Sequence, residues 1–67
     1  MATVKTKKIS ATDYLVKINM ILFKVEKISA HKWIWTDLFR SVKSDGVYKN
    51  KSMATLGALA YFEDRYF

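Results

Sequence analysis

Residues 14–28 read YLVKINMILFKVEKI, and two periodicities compete for them. Tyr14, Ile18, Ile21, Val25 and Ile28 recur at steps of 4, 3, 4 and 3, which returns each to one face of an α-helix. Leu15 and Leu22 lie beside that face, while Asp13, Lys17, Lys24 and Lys27 gather opposite. Ser10 or Thr12 stands where a helix cap is wanted. The competing reading is a strand, because Tyr14, Val16, Ile18, Met20 and Leu22 alternate and β-branched residues abound. Its other face would mix Lys17 and Asn19 with Ile21 and Phe23, whereas the helical partition separates charged from apolar residues more cleanly. The expectation is therefore a helix near 11–28, with residues 14–25 as a strand in an α+β fold as the alternative. On the helical reading Val16, Met20 and Phe23 form a second apolar stripe away from the first. A helix apolar on two sides is either central in its bundle or faces a partner.

Downstream, AHKWIWTDLF (30–39) brackets Ile34 with two tryptophans. His31, Ile34, Trp35, Leu38, Phe39 and Val42 again follow helical spacing, with Arg40 and Lys43 in the last turn and Gly46 as a C-terminal cap. In a helix Trp33 and Trp35 lie roughly 200° apart, so one must leave the core. Trp35 falls with Leu38, Phe39 and Val42, and Trp33 with Thr36, Asp37 and Arg40, beside Lys32 and Lys43. In a strand the arrangement reverses, with both tryptophans on one side and Ile34 on the other.

Residues 1–9 are basic, Thr-rich and without clear periodicity, and read as a flexible arm or a short edge strand. Ser52 caps a third segment, MATLGALAYFEDRYF, with Met53, Leu56, Leu59 and Ala60 as its core face. Ala54, Gly57 and Ala58 make a small-residue face open to close approach by another helix. The expected fold is thus mainly α: a three-helix domain over 10–67, with helices near 11–28, 30–44 and 52–65, behind a basic arm at 1–9. Its core would hold Tyr14, Ile18, Ile21, Leu22, Val25, Trp35, Leu38, Phe39, Val42, Leu56 and Leu59.

A chain of 67 residues buries only a little over ~60% of its unfolded surface, so a bound partner or a second copy is a natural supplement to its core. The absence of cysteine excludes disulfides and thiolate zinc sites, and the single histidine excludes a multi-histidine metal centre. With 51% hydrophobic and 15% aromatic residues the composition is that of a folding chain. No signal peptide and no apolar run of membrane-spanning length stand out, which makes a cytoplasmic protein the expectation. Twelve Lys and Arg against six Asp and Glu leave a formal charge of +6, which favours something acidic as partner.

Candidates for catalysis are thin. His31 lies on the apolar side of the second helix and reads as an interior or boundary histidine, and Glu63 and Asp64 point to different sides of a helix. GVYKNKS carries Lys51 where a phosphate-binding loop needs its second glycine. A helix-turn-helix would place Ala, Gly and Leu in the third segment where base-reading Arg, Asn and Gln are wanted. No catalytic site, metal, cofactor or small-molecule substrate is expected.

What remains is binding. The first expectation is a small accessory protein, of the kind compact genomes such as those of phages encode, acting as a regulator or inhibitor on a partner protein or by self-association. Its surface would comprise Trp33, Lys32, Arg40, Lys43, Val16, Met20 and Phe23, an aromatic and apolar set suited to a hot spot. The alternative is a basic DNA- or RNA-binding protein of weak sequence preference, contacting phosphates through Lys5, Lys7, Lys8, Lys49 and Lys51.

Overall fold

The structure is a computed structural model, and it describes residues 3–66. It is a five-stranded antiparallel sheet followed by one helix. The strands are β1 (Val4–Lys8), β2 (Asp13–Ile18), β3 (Ile21–Ser29), β4 (Lys32–Asp37) and β5 (Val42–Lys43), and the helix is α1 (Lys51–Tyr66). Strand order follows chain order, each strand pairing with the next, so the sheet is a meander that needs only short reversals. The three-helix bundle is overturned: its first two helices are strands, and Val4–Lys8 of the supposed arm is the edge strand β1.

The first expected helix is a hairpin. Ile18 and Ile21 are paired across the β2–β3 turn, leaving Asn19 and Met20 as a two-residue loop. Asn19 has φ 54°, a conformation that Asn tolerates better than most residues. Its side-chain Oδ1 accepts the Thr3 N–H at 2.9 Å, and its own N–H donates to the Thr3 carbonyl at 2.8 Å, tying the turn to the chain before β1. Such a hairpin counterfeits a helix. Within each strand the inward residues step by two, Tyr14, Val16, Ile18 and then Ile21, Phe23, Val25, but crossing the two-residue loop adds one step of three. Skipping Val16 and Phe23 turns this series into the 4, 3, 4 spacing of a helical face.

At the β3–β4 reversal the register shifts between Lys27 and Ser29, a bulge at Ile28, and His31 takes φ 56°. That histidine is exposed in a turn, not an interior or boundary residue of a helix. After β4, Asp37 shapes the next reversal by accepting the N–H groups of Phe39 and Arg40 at 2.9 and 3.1 Å, with Ser41 at φ 57°. Beyond β5 the chain runs back along β4. Trp33 and Tyr48 exchange backbone hydrogen bonds of 2.8 and 2.7 Å, and Asn50 then caps α1, its Oδ1 accepting the Met53 N–H at 2.9 Å. The cap is Asn50 and not Ser52.

The core lies between one sheet face and α1. It consists of Val16, Ile18, Phe23, Val25 and Trp35 from the sheet and Ala54, Ala58 and Phe62 from the helix. Leu22, Leu38, Phe39, Val42 and Leu56, expected inside, are all at least 38% exposed. In α1 most of the expected core face turns outward: Met53, Leu56 and Ala60 face solvent and the small residues Ala54 and Ala58 are buried, while Leu59 alone of that face packs against the core. The helix meets the sheet with Ala54 and Ala58 toward its start and with large rings toward its end, where Phe62 is buried and the Trp35 and Tyr61 ring centroids are 4.6 Å apart. Both tryptophans sit on the helix-covered side. Trp35 is buried, and Trp33 is half-buried, 6.1 Å from the Tyr14 ring.

Gly57 lies where the Tyr48 ring passes close to α1, because a methyl group there would overlap that ring. The Tyr48 hydroxyl accepts a 3.4 Å hydrogen bond from the Trp35 indole N–H. Gly57→Ala gains about 1 kcal/mol of helix propensity but must displace that ring, and overpacking of this kind costs about 1–3 kcal/mol. The expected net is a destabilisation of about 1 kcal/mol in urea melts, and the same substitution should become stabilising in a Tyr48→Ala background. Equal effects of Gly57→Ala with and without Tyr48 would show that the ring yields freely.

Candidate functional site

The sheet face away from α1 is built by the residues that alternate with the core. Cross-strand partners share a face, so the register lays out rows. Lys7, Leu15, Lys24, Thr36 and Lys43 form one row spanning every strand. Lys5, Lys17 and Leu22 form a second row, and Asp13, Glu26 and Ile34 a third. Lys32 opens β4 on the side of Ile34 and Thr36.

Six lysines thus share the face with two acids, a net +4 of the chain's +6. Asp13 and Glu26 both lie 3.9 Å from the Lys24 ammonium, so the negative charge of the face is gathered around that one lysine. Lys5, Lys7, Lys17, Lys32 and Lys43 make no ion pair among the described residues. Leu15, Leu22 and Ile34 lie between them and give the face an apolar floor on which lysine stems can rest. Chemically this is an extended array of cations, five of them without an ion pair among the described residues, and its charge complements an extended polyanion.

The residues singled out from the sequence are scattered by this architecture. Of the expected protein-docking set, Val16 and Phe23 are fully buried and directly paired across β2 and β3, so the second apolar stripe does not exist as a surface. Met20 projects from the turn, 82% exposed. Trp33 is covered from the helix side, and the Arg40 guanidinium lies over the Tyr66 ring at 4.9 Å. Lys32 and Lys43 go to the open face. Of the alternative phosphate-contacting set, Lys5 and Lys7 join them there. Lys8, paired with Tyr14, is on the other side, and so is Lys51, whose ammonium sits 4.3 Å from the Tyr14 ring. Lys49 is exposed in the loop before α1. Sequence reasoning misses Lys17 and Lys24 as binding residues. Their signal is present, since each alternates with core residues on its own strand, but the helical reading assigns them to an ordinary solvated face.

Two further features flank this face at the end where the β2–β3 and β4–β5 reversals meet. One is a shallow groove of about 210 Å³ lined by Met20, Ile21, Leu22, Leu38 and Phe39. The other is buried beneath it. Asp37, with no exposed surface, accepts the Tyr61 hydroxyl at 3.0 Å and the Tyr66 hydroxyl at 2.7 Å through Oδ2, while Oδ1 takes the two backbone N–H groups. Burial pushes its pKa upward, but the Tyr66, Arg40, Tyr61 and Phe39 donors outweigh that and hold it below the ordinary carboxylate value. Burial and the nearby carboxylate push Tyr66 up to about 12 and raise Tyr61 as well. This cluster clamps the end of α1 to the end of β4.

Glu63 and Asp64 are exposed on α1. Among the described residues no three His, Cys, Asp or Glu side chains gather to hold a metal ion, and no helix is long and apolar enough to cross a membrane. Compared with protein-family models, with curated proteins and with solved structures, the chain finds no match in any of them.

Proposed function

We propose that this protein binds nucleic acid through the open face of its sheet, contacting the phosphodiester backbone with little sequence preference. The observation that carries the reading is the row-by-row clustering of Lys5, Lys7, Lys17, Lys24, Lys32 and Lys43 on the one sheet face that α1 leaves uncovered. A structural reason exists for some of these residues. Lysines on an edge strand such as β1 discourage sheets from pairing edge to edge, which accounts for Lys5 and Lys7. Lys24 is matched by Asp13 and Glu26, but neither reason accounts for Lys17, which makes no ion pair among the described residues and stands on an interior strand already paired on both sides. Flexible cations above an aliphatic floor neutralise phosphates and release their counterions, a gain indifferent to base identity. Action as a regulator of a partner protein has less behind it, since Val16 and Phe23 of its expected surface are in the core.

Binding to labelled DNA and RNA oligonucleotides, followed by fluorescence anisotropy across a salt series, tests the proposal. Affinity should fall steeply between about 50 and 200 mM salt, as about 10³-fold losses accompany the neutralisation of some six phosphates. Lys5→Gln, Lys17→Gln and Lys43→Gln together should weaken binding to every sequence and flatten the salt slope by about 2–3. Lys27→Gln with Lys49→Gln, which lie off the face, should matter much less. Equal effects of the two sets, or no binding at about 50 mM salt, the low end of that range, would refute the proposal.

A further inference from the structure

The groove beside the lysine face adds a preference for a particular form of nucleic acid. We propose that it holds an unstacked base, so that the protein takes single strands in preference to duplexes; the inference rests on the lysine face being the phosphate-binding surface. Phe39 is 75% exposed and Met20 82% exposed, in a chain whose other large aromatics are mostly drawn against α1. Together with Leu22 and Leu38 they line one continuous apolar surface.

That surface is joined to the cations. Leu22 lines the groove and is also the cross-strand partner of Lys17, which is in turn the partner of Lys5. Neighbouring strands stand about 4.8 Å apart, so this row leads from the sheet edge directly into the groove, with cations one and two strands away. A backbone lying on the row would bring its adjoining base over Phe39. The groove volume of about 210 Å³ falls below the ~300 Å³ at which small-molecule sites begin, but a shallow apolar ledge of this kind suits one flat ring resting on an aromatic side chain. A duplex keeps its bases stacked and cannot offer one without flipping it. A second copy of this chain is a poorer occupant, because a face-to-face contact at the groove brings together two adjoining surfaces of the same net positive charge.

The experiment compares three probes of matched length: a base-bearing single strand, an abasic strand with the same phosphates, and a duplex. Each is titrated against the unaltered protein and against Phe39→Ala and Met20→Ala, with melts to establish that these exposed positions leave the fold intact. The base-bearing strand is expected to bind about tenfold or more tightly than the abasic one, the scale of a base stacked on an aromatic ring. Phe39→Ala should abolish that difference while leaving the salt slope and duplex binding as they were. Equal binding of base-bearing and abasic strands, or indifference to Phe39→Ala, overturns the groove but leaves the lysine face standing if the lysine variants still lose affinity. Failure of every probe to bind sinks both. A concentration-dependent mass in light scattering that Phe39→Ala abolishes would assign the groove to self-association and overturn the inference.

Discussion

Asp37→Ala is expected to destabilise the fold by about 3 kcal/mol or more, since it removes one buried, charged acceptor from four part-buried hydrogen bonds and hydrogen bonds to charged groups are worth about 1.5–3 kcal/mol each. Two backbone N–H groups and the hydroxyls of Tyr61 and Tyr66 lose their partner together. Domains of this length are stable by only about 3–10 kcal/mol, so much of the variant should be unfolded in mild denaturant. Asp37→Asn retains an acceptor oxygen for the turn and should lose less. The pH dependence carries the same signature. Because the folded-state pKa of Asp37 is lowered, its contribution is complete above the ordinary value of 3.8 and is lost as pH falls through the folded value. The Tyr66 contribution has the opposite sign: its pKa is raised from 10.0 to about 12, so the stability is complete below the first value and is lost as pH rises toward the second. Urea midpoints measured over the pH range should show both limbs in the parent protein and a flattened acid limb in Asp37→Asn. Parallel curves for the two proteins would mean that ionisation of Asp37 does not set the acid limb, and coincident curves would mean that its charge contributes nothing to folding.

A comparable loss is expected from Phe23→Ala, and almost none from Leu22→Ala beside it. Phe23 has no exposed surface and meets the rings of Trp35 and Tyr61 edge-on at centroid distances of 6.0 and 5.9 Å. Deleting such a buried ring costs about 3–5 kcal/mol, made up of lost transfer energy and the cavity left behind. Leu22, at 44% exposed, should shift stability by only a few tenths of a kcal/mol to about 1 kcal/mol. Equilibrium denaturation of the two variants therefore reads the strand alternation directly. Similar losses at both positions would contradict it.

Of the hairpin's inward residues, Tyr14, Ile18, Ile21 and Val25 are legible in the sequence, whereas Val16 and Phe23, which complete the same face, read as a separate stripe. Tyr14, Ile18, Ile21 and Val25 do share a face, but that face belongs to two strands and a loop, and periodicity alone does not distinguish this from a helix when the loop has two residues. The distinguishing sign is chemical. Asn19 is at home in a left-handed turn and a poor helix former, and valine, isoleucine and tyrosine crowd around it. For the tryptophans, strand geometry by itself puts both rings on one side, but their cover depends on Tyr48, Gly57 and α1, which no local pattern connects to them. The helix is readable to within a residue at each end, over Lys51–Tyr66. Its buried side is not, because the helix buries Ala54 and Ala58 where the pattern of large apolar residues points to Met53 and Leu56. Lys17 and Lys24 become visible as part of a surface once their strands are placed side by side.

The meander also has a bearing on how the molecule comes into being. Every strand pairs with the strand made just before it, so the sheet can zip up as the chain leaves the ribosome, with little loop entropy to overcome at any step. The cover for its apolar side is synthesised after all five strands. Until α1 has emerged, Phe23, Val25 and Trp35 have no shelter from water or from neighbouring nascent chains, and the carboxylate of Asp37 has no tyrosines to receive. Production of this protein is therefore most exposed to aggregation in the interval between the emergence of β5 and that of α1. Chaperone demand should depend on the sixteen-residue helix more than on any of the strands.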